Sequence, residues 1–171
     1  MADEIINRVA QSKLVVIDLE DYYPQGKRVL FDIKDWLFEG LVLREKDFRQ
    51  YVAKHDWSQY HNQYVALTCS TDAIVPAWAF MLVTIELASY SKKTIIGDLH
   101  TLETSVYQDI INDLNLNSYQ DKSIIIKGCS NKPVPDNAYI LLTEKLKPVA
   151  KSIMYGEACS SVPLFKKKNK S

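Results

Sequence analysis

The sequence lacks any excess of charge and any long uninterrupted apolar run. Its 171 residues include 21 basic and 21 acidic side chains, so no broad electrostatic field would attract nucleic acid or an anionic membrane surface. The most apolar stretch, residues 73–90, contains Pro76 and Glu86 and is therefore typical of a buried helix rather than of a membrane span. Asp3 and Glu4 stand where a secretory signal needs basic residues. We expect a cytoplasmic protein that binds neither nucleic acid nor membrane.

Established catalytic signatures are also missing. The sequence contains no GxxxxGKS/T loop, no GxGxxG or GxSxG motif and no HExxH pair, so nothing supports a nucleotide-binding, dinucleotide-binding, hydrolase or zincin function. Whether the protein is an enzyme stays open on the sequence. Cysteine is scarce, with three residues, an odd number that in a reducing compartment should remain as free thiols. These thiols are then core residues, metal ligands or reactive groups.

The hydrophobic pattern predicts an α/β fold in a single domain. The 47% hydrophobic content is enough for one core in a chain of this length, and no internal repeat is expected to divide it. From residue 64 onward, β-type runs alternate with helical patterns, which predicts a largely parallel or mixed sheet flanked by helices. Strands are predicted at 64–68, 94–97, 123–127 and 149–155, and helices at 76–89, 102–114 and 136–145.

The first 60 residues are predicted to form an appendage packed on this core of residues 61–165. A β-type run at 14–19 and an alternating run around Val29, Phe31 and Ile33 flank a turn with Pro24 and Gly26, which predicts a hairpin. A helix is predicted at 45–54. The basic tail, residues 166–171, is expected to be disordered.

The three cysteines follow predicted strands, and each is followed by serine and then by Val-Pro. The helices expected after two of these loops would place the positive end of the helix dipole near a thiolate. His100 follows its own strand in the same way. Because the carboxyl ends of parallel strands meet at one edge of a sheet, four ligands are expected to converge there: Cys69, His100, Cys129 and Cys159.

A Cys3His set is competent for zinc and plausible for an iron–sulfur cluster. The carboxylates on the same loops are candidates for an outer ligand shell, namely Asp72, Asp98 and Glu157. His55 and His61 are expected to lie at the surface or to face a partner, and His61 is also a reserve ligand. The sequence therefore predicts a metal- or cluster-binding protein.

Two other interpretations stay open. In the first, one cysteine is a reactive thiol for sulfur transfer or redox chemistry, and Cys129 is preferred because Gly128 leaves its backbone room and Lys132 could stabilise a thiolate. In the second, the cysteines are buried core residues and the protein is a cofactor-free interaction protein. Its partner surface would then be the aromatic N-terminal third, with Trp36, Phe38 and Trp57, and its partner a second copy in a homodimer.

Several segments resemble a bacterial family known as domain of unknown function 2480. They are VIDLED at 16–21, FDIKDWLFEG at 31–40, LREKDF at 43–48 and the three cysteine loops, and the resemblance extends over essentially the whole chain. It implies a stand-alone bacterial cytosolic protein linked to iron–sulfur cluster assembly, with iron–sulfur assembly proteins as partners. It supplies no catalytic residue, and it favours iron–sulfur or sulfur handling among the metal functions.

Overall fold

The strands form two sheets in the computed structural model, which describes residues 14–128 and 131–168. The strands in this part of the chain are β1 Leu14–Ile17, β2 Arg28–Asp32, β3 Tyr64–Thr68, β4 Lys93–Ile96, β5 Ser123–Ile126, β6 Ser152–Glu157 and β7 Ser160–Lys166. The helices described are α1 Glu45–Lys54, α2 Ala77–Leu87, α3 Leu99–Asp113 and α4 Asp136–Leu146. Short 3-10 helices span Leu19–Tyr22, Ile33–Trp36, Trp57–Tyr60 and Asn117–Tyr119.

Each sheet belongs to one of two compact units. The central unit, residues 24–106, holds the parallel sheet with strand order β2-β3-β4. The terminal unit joins the segment up to Tyr23 to the segment from Tyr107 onward and holds the sheet with order β1-β5-β6-β7. In this second sheet β7 alone runs antiparallel to its neighbour.

The two units repeat the same architecture at a constant spacing along the chain. In each, a strand is followed by a loop that ends at a proline, Pro76 or Pro135, which is the N-cap of the next helix. The two helices bury the same stripe of side chains at a spacing of four residues, and all six are fully buried: Ala79, Val83 and Leu87 in α2, and Ala138, Leu142 and Leu146 in α4. The expectation of no internal repeat is therefore wrong.

Turns and hydrogen bonds also recur at equivalent positions. Asn62 and Asp121 both adopt positive φ, 58° and 54°, in the turn that leads into a central strand. The hydroxyls of Thr84 and Thr143 both donate to a backbone carbonyl one turn earlier in their helix, at 2.8 and 2.7 Å. The shared pattern thus extends from core packing to individual backbone conformations.

The first strand of each unit leads into a 3-10 helix that is capped by an aspartate, Asp18 directly after β1 and Asp32 at the end of β2. Asp18 accepts a hydrogen bond from the backbone N–H of Glu20, and Asp32 accepts one from that of Lys34, both at 3.0 Å. β1 is therefore the counterpart of β2, although the whole central unit lies between β1 and the rest of its own sheet in sequence.

The α/β fold with parallel and mixed strands is confirmed, but the predicted N-terminal hairpin is wrong. β1 pairs in parallel with β5, where Leu14 lies opposite Ser123, and β2 pairs in parallel with β3, where Arg28 lies opposite Tyr64. Strands β1 and β2 therefore do not pair with each other. Each pairs instead with a buried strand that is distant in sequence. The first 60 residues thus contribute strands to both sheets rather than forming an appendage. That the two units make up one domain stays a prediction.

Strand β7 was not predicted, because Pro163 removes a backbone donor and argues against a strand. β7 is the last strand of its sheet, where a proline is tolerated, and a register shift falls between Ile153 and Met154 opposite it. Lys166 is therefore in a strand, and the Nζ of Lys167 lies 3.1 Å from Asp121, so the predicted disordered tail is wrong at these two residues. Residues 169–171 lie outside the described residues.

Much of the aromatic N-terminal third forms core rather than an interface. Trp57 is buried and its indole N–H donates to the carbonyl of Val52 at 2.9 Å. The half-buried His55 stacks on Tyr60, and its Nε2 lies 2.9 Å from the Tyr60 hydroxyl. Burial lowers the pKa of His55 below its ordinary value, with a smaller opposing effect of the Asp56 carboxylate. The expectation that Trp57 forms a partner surface is wrong, and His55 is half-buried among aromatic rings.

Equivalent substitutions in α2 and α4 should lower the free energy of unfolding by similar amounts. Leu87→Ala and Leu146→Ala each remove a fully buried side chain and should each lower the free energy of unfolding by about 2–5 kcal/mol. The exposed Ile140 is the control, and Ile140→Ala should change it by no more than about 0.5 kcal/mol. Urea denaturation followed by circular dichroism measures these differences. A Leu146→Ala variant as stable as Ile140→Ala would contradict the shared packing.

His55 should make the protein less stable in mild acid. Because its folded pKa lies below its unfolded value of about 6.5, the unfolded chain binds the proton more readily and stability falls as the pH drops below about 6.5. A His55→Gln variant should lose that part of the pH dependence. Thermal melts of both proteins between about pH 8 and 5.5 test this. If the two melting temperatures fall in parallel over this range, His55 is not responsible.

Candidate functional site

Cys69 lies directly after β3, at the carboxyl edge of the central unit's parallel sheet, as predicted. It is half-buried, and its Sγ lies 3.4 Å from the hydroxyl of Thr71. That hydroxyl donates to the carbonyl of Gly40 at 2.7 Å, and the backbone N–H of Ser70 donates to Asp32 at 3.2 Å. Burial raises the pKa of Asp32, but hydrogen bonds from Ser70 and Lys34 outweigh this effect and lower it. The loop is therefore held by the protein's own groups.

An open groove with a volume of about 590 Å³ lies beside this loop, between the segment before α1 and the segment leading into α2. Ile74 is 92% exposed at the groove, and Leu41 and Val42 are also largely exposed. The predicted outer-shell carboxylate Asp72 is exposed and lines this groove. The full lining is Leu41, Val42, Leu43, Glu45, Asp72, Ala73, Ile74, Pro76 and Trp78.

Helix α2 continues the apolar surface away from the groove. Its sequence, AWAFMLVTIEL, contains one charged residue, and Met81 and Ile85 point outward with 64% and 66% of their surface exposed. An all-apolar helix is normally buried on every side. The sequence predicted a buried helix over this stretch, which is correct for the stripe Ala79, Val83 and Leu87 only.

The equivalent helix α4 shows that the fold does not require this apolar surface. Its sequence, DNAYILLTEKL, places Asn137 where α2 has Trp78 and Glu144 where α2 has Ile85. Ile140, the counterpart of Met81, is the apolar exception on its outward side. The two helices therefore differ at two positions, where α2 carries Trp78 and Ile85 and α4 carries polar residues.

The equivalent sheet edge of the terminal unit is charged. The Nζ of Lys127 lies 2.9 Å from Asp18, and the Glu20 carboxylate accepts the backbone N–H of Lys132 at 2.9 Å and that of Asn131. Burial raises the pKa of Asp18, but the hydrogen bonds from Lys127 and Glu20 outweigh it and lower the pKa. The ammonium of Lys132, proposed as a thiolate partner, lies 3.4 Å from the Glu20 carbonyl. Cys129 lies outside the described residues.

The remaining predicted ligands are exposed. His100 lies in the first turn of α3, and Cys159 lies in the turn between β6 and β7, so no helix follows it. Asp98 accepts hydrogen bonds from the N–H and the hydroxyl of Thr101, at 2.7 and 2.8 Å, which is the capping role that competes with metal binding. Glu157 ends β6.

The described residues provide no ready-made metal site. Across 14–128 and 131–168, no three His, Cys, Asp or Glu side chains come together in a way that could hold an ion. Cys69 and His100 belong to the central unit, and Cys129 and Cys159 belong by sequence to the terminal unit. Because Cys129 is outside the described residues, the convergence of the four ligands stays a prediction, as does the reserve role of His61.

The sequence pattern around the cysteines has a structural explanation that was missed. The recurrence of Val-Pro after Cys69 and Cys129 belongs to equivalent loops of a repeated unit, in which the two cysteines are offset by one residue, whereas Val162 and Pro163 after Cys159 lie within β7. The recurrence could have revealed the repeat. The groove was missed because an apolar segment is more often buried than exposed.

Comparison with known proteins supports the resemblance seen in the sequence. No helix in the described segments has the length and apolar character needed to cross a membrane. No curated protein and no solved structure matches the chain. A family model described as Protein of unknown function (DUF2480) matches residues 3–167. Since this match covers nearly the whole chain, the protein belongs to the DUF2480 family.

Proposed function

We propose that this protein is a cofactor-free interaction module, and that its binding surface is the apolar groove together with the outward side of α2. The observation that carries the proposal is the contrast between two equivalent helices, because α4 keeps Glu144 where α2 exposes Ile85. Since the architecture accepts a charge at this position, the exposed isoleucine serves something other than folding.

The size of the exposed surface supports a protein partner. Full burial of a Met or Ile side chain contributes about 1.5–3 kcal/mol, so Met81, Ile85 and Ile74 together offer a substantial gain to a partner that covers them. Contiguous exposed apolar patches with a polar border are typical of protein–protein interfaces. Here Glu45 and Asp72 provide polar groups at the groove.

The cysteine beside the groove then has a structural role. The Sγ of Cys69 contacts Thr71, and Thr71 bonds to Gly40, so this chain of contacts links the loop before α2 to the segment that carries Leu41 and Val42. These are the two sides of the groove. In this proposal Cys69 contributes to the packing of the loop beside the groove.

The native size of the protein in extracts of its own cells tests this function. The wild type should elute well above the 19.6 kDa of one chain, and a Met81→Glu/Ile85→Glu variant should elute as a single chain because both charges would be buried in the interface. A variant with all three cysteines replaced by serine should keep the large size. Elution of the wild type as a single chain in the extract would refute the proposal.

A second candidate function is binding of zinc or of an iron–sulfur cluster, in line with a role in iron–sulfur assembly or sulfur handling. It is favoured by the positions of the four candidate ligands in the repeat, where His100 and Cys159 are equivalent and Cys129 lies one residue beyond the counterpart of Cys69. Cys69 and Cys129 follow equivalent strands, and His100 and Cys159 each follow an equivalent glycine, Gly97 or Gly156, by three residues. Cysteine and histidine in such numbers suit zinc and iron.

Metal analysis of protein purified without oxygen distinguishes the two candidates. The interaction module should be colourless and free of metal, and added zinc or iron should not raise its melting temperature. If instead it carries about one equivalent of zinc or an absorbing cluster, Cys69→Ser and Cys129→Ser should each remove it, because a four-ligand site does not tolerate the loss of a thiolate. That result would establish the second candidate and contradict the first.

A further inference from the structure

We propose that the partner on this surface is a second copy of the chain, related by a two-fold axis, with Ile74 of each copy seated in the apolar groove of the other. This inference rests on the proposed interaction function and names its partner. A two-fold interface must be complementary to itself, because the same patch lies on both sides.

The surface carries a projection and a recess side by side. Ile74 is 92% exposed, and the groove beside it, about 590 Å³, is bordered by Leu41, Val42 and Trp78. A two-fold rotation that seats Ile74 of the first copy in the groove of the second copy also seats Ile74 of the second copy in the groove of the first. The same contact between Ile74 and the groove thus forms on both sides of the axis and covers the apolar surface of each copy.

Charges near the groove are of both signs, as a self-complementary patch requires. Glu45 and Asp72 lie at the groove, and Arg49 pairs with Glu45 at 2.9 Å and lies over the ring of Trp78. Arg44 is exposed and directly precedes Glu45. Rotation about a two-fold axis can bring the acidic border of one copy towards the basic border of the other. The formal net charge of the chain is zero, so two copies do not repel each other strongly.

The exposed apolar area is of the size that a dimer needs. The large side chains on this surface expose on the order of 600 Å², close to the ~800 Å² that each partner buries in a standard interface. They are Leu41, Val42, Ile74, Met81 and Ile85. The acidic groups at the groove disfavour an anionic membrane as the alternative occupant.

The mass of the purified full-length chain in solution tests the inference. Light scattering during gel filtration should give twice 19.6 kDa for the wild type at about 100 µM. Ile74→Glu should weaken dimerisation by about 100-fold or more, because a carboxylate would enter an apolar groove. Since Ile74 is almost fully exposed, this variant should keep the wild-type circular dichroism spectrum and melting profile of a folded chain.

The repeat offers a matched control. Ile140 is the counterpart of Met81, with similar exposure, so Met81→Glu should dissociate the dimer and Ile140→Glu should leave it intact. A wild-type mass of 19.6 kDa would overturn the inference, and so would equal loss of dimer in both variants. A purified monomer that is large in cell extract would overturn the second copy as partner while the interaction function stands. A protein that is a single chain both after purification and in cell extract would overturn the dimer and the interaction function together.

Discussion

Both units depend on the packing of one short helical stripe against a buried parallel strand. In the central unit the stripe of Ala79, Val83 and Leu87 clusters with Val65 and Leu67 of β3. In the terminal unit the counterparts on α4 cluster with Ile124 and Ile126 of β5. Residues four apart lie on one side of a helix, and the small alanine lets the helix approach the strand closely. Once this stripe faces inward, the direction of every other side chain on the helix is determined.

Because the inward stripe is the same in both helices, the residues on their outward sides can be compared position by position. Met81 and Ile85 of α2 point away from the stripe, as Ile140 and Glu144 of α4 do, so their chemistry is free to vary without changing the core. The apolar choice in α2 is an addition to the fold and not a consequence of it. The two sheet edges also differ, because Asp18 pairs with Lys127 of the neighbouring strand end at 2.9 Å, whereas Asp32 accepts the backbone N–H of Ser70 and has the more distant Lys34 at 3.9 Å.

Local pattern predicted the elements of the fold well and their pairing poorly. The strand at 64–68 and the helix at 45–54 have the bounds that the sequence suggested, because alternation and helical spacing are local properties. The pairing of β1 with β5 was hidden, since the two strands are separated by the entire central unit. The recurrence of residues around the cysteines is real. In a chain with a repeated unit, however, such a recurrence is explained first by the shared architecture of the loops, and it is weak evidence for a shared ligand.

A partner that covers the outward side of α2 when the protein acts should shield Met81, so the oxidation rate of Met81 is the most direct test. Methionine oxidation reports the access of solvent to the sulfur, and Met81 is 64% exposed in the single chain. Brief peroxide treatment should oxidise Met81 about tenfold more slowly in intact cells than in dilute purified protein, measured relative to the half-buried Met154. Equal relative rates in the two settings would contradict the account.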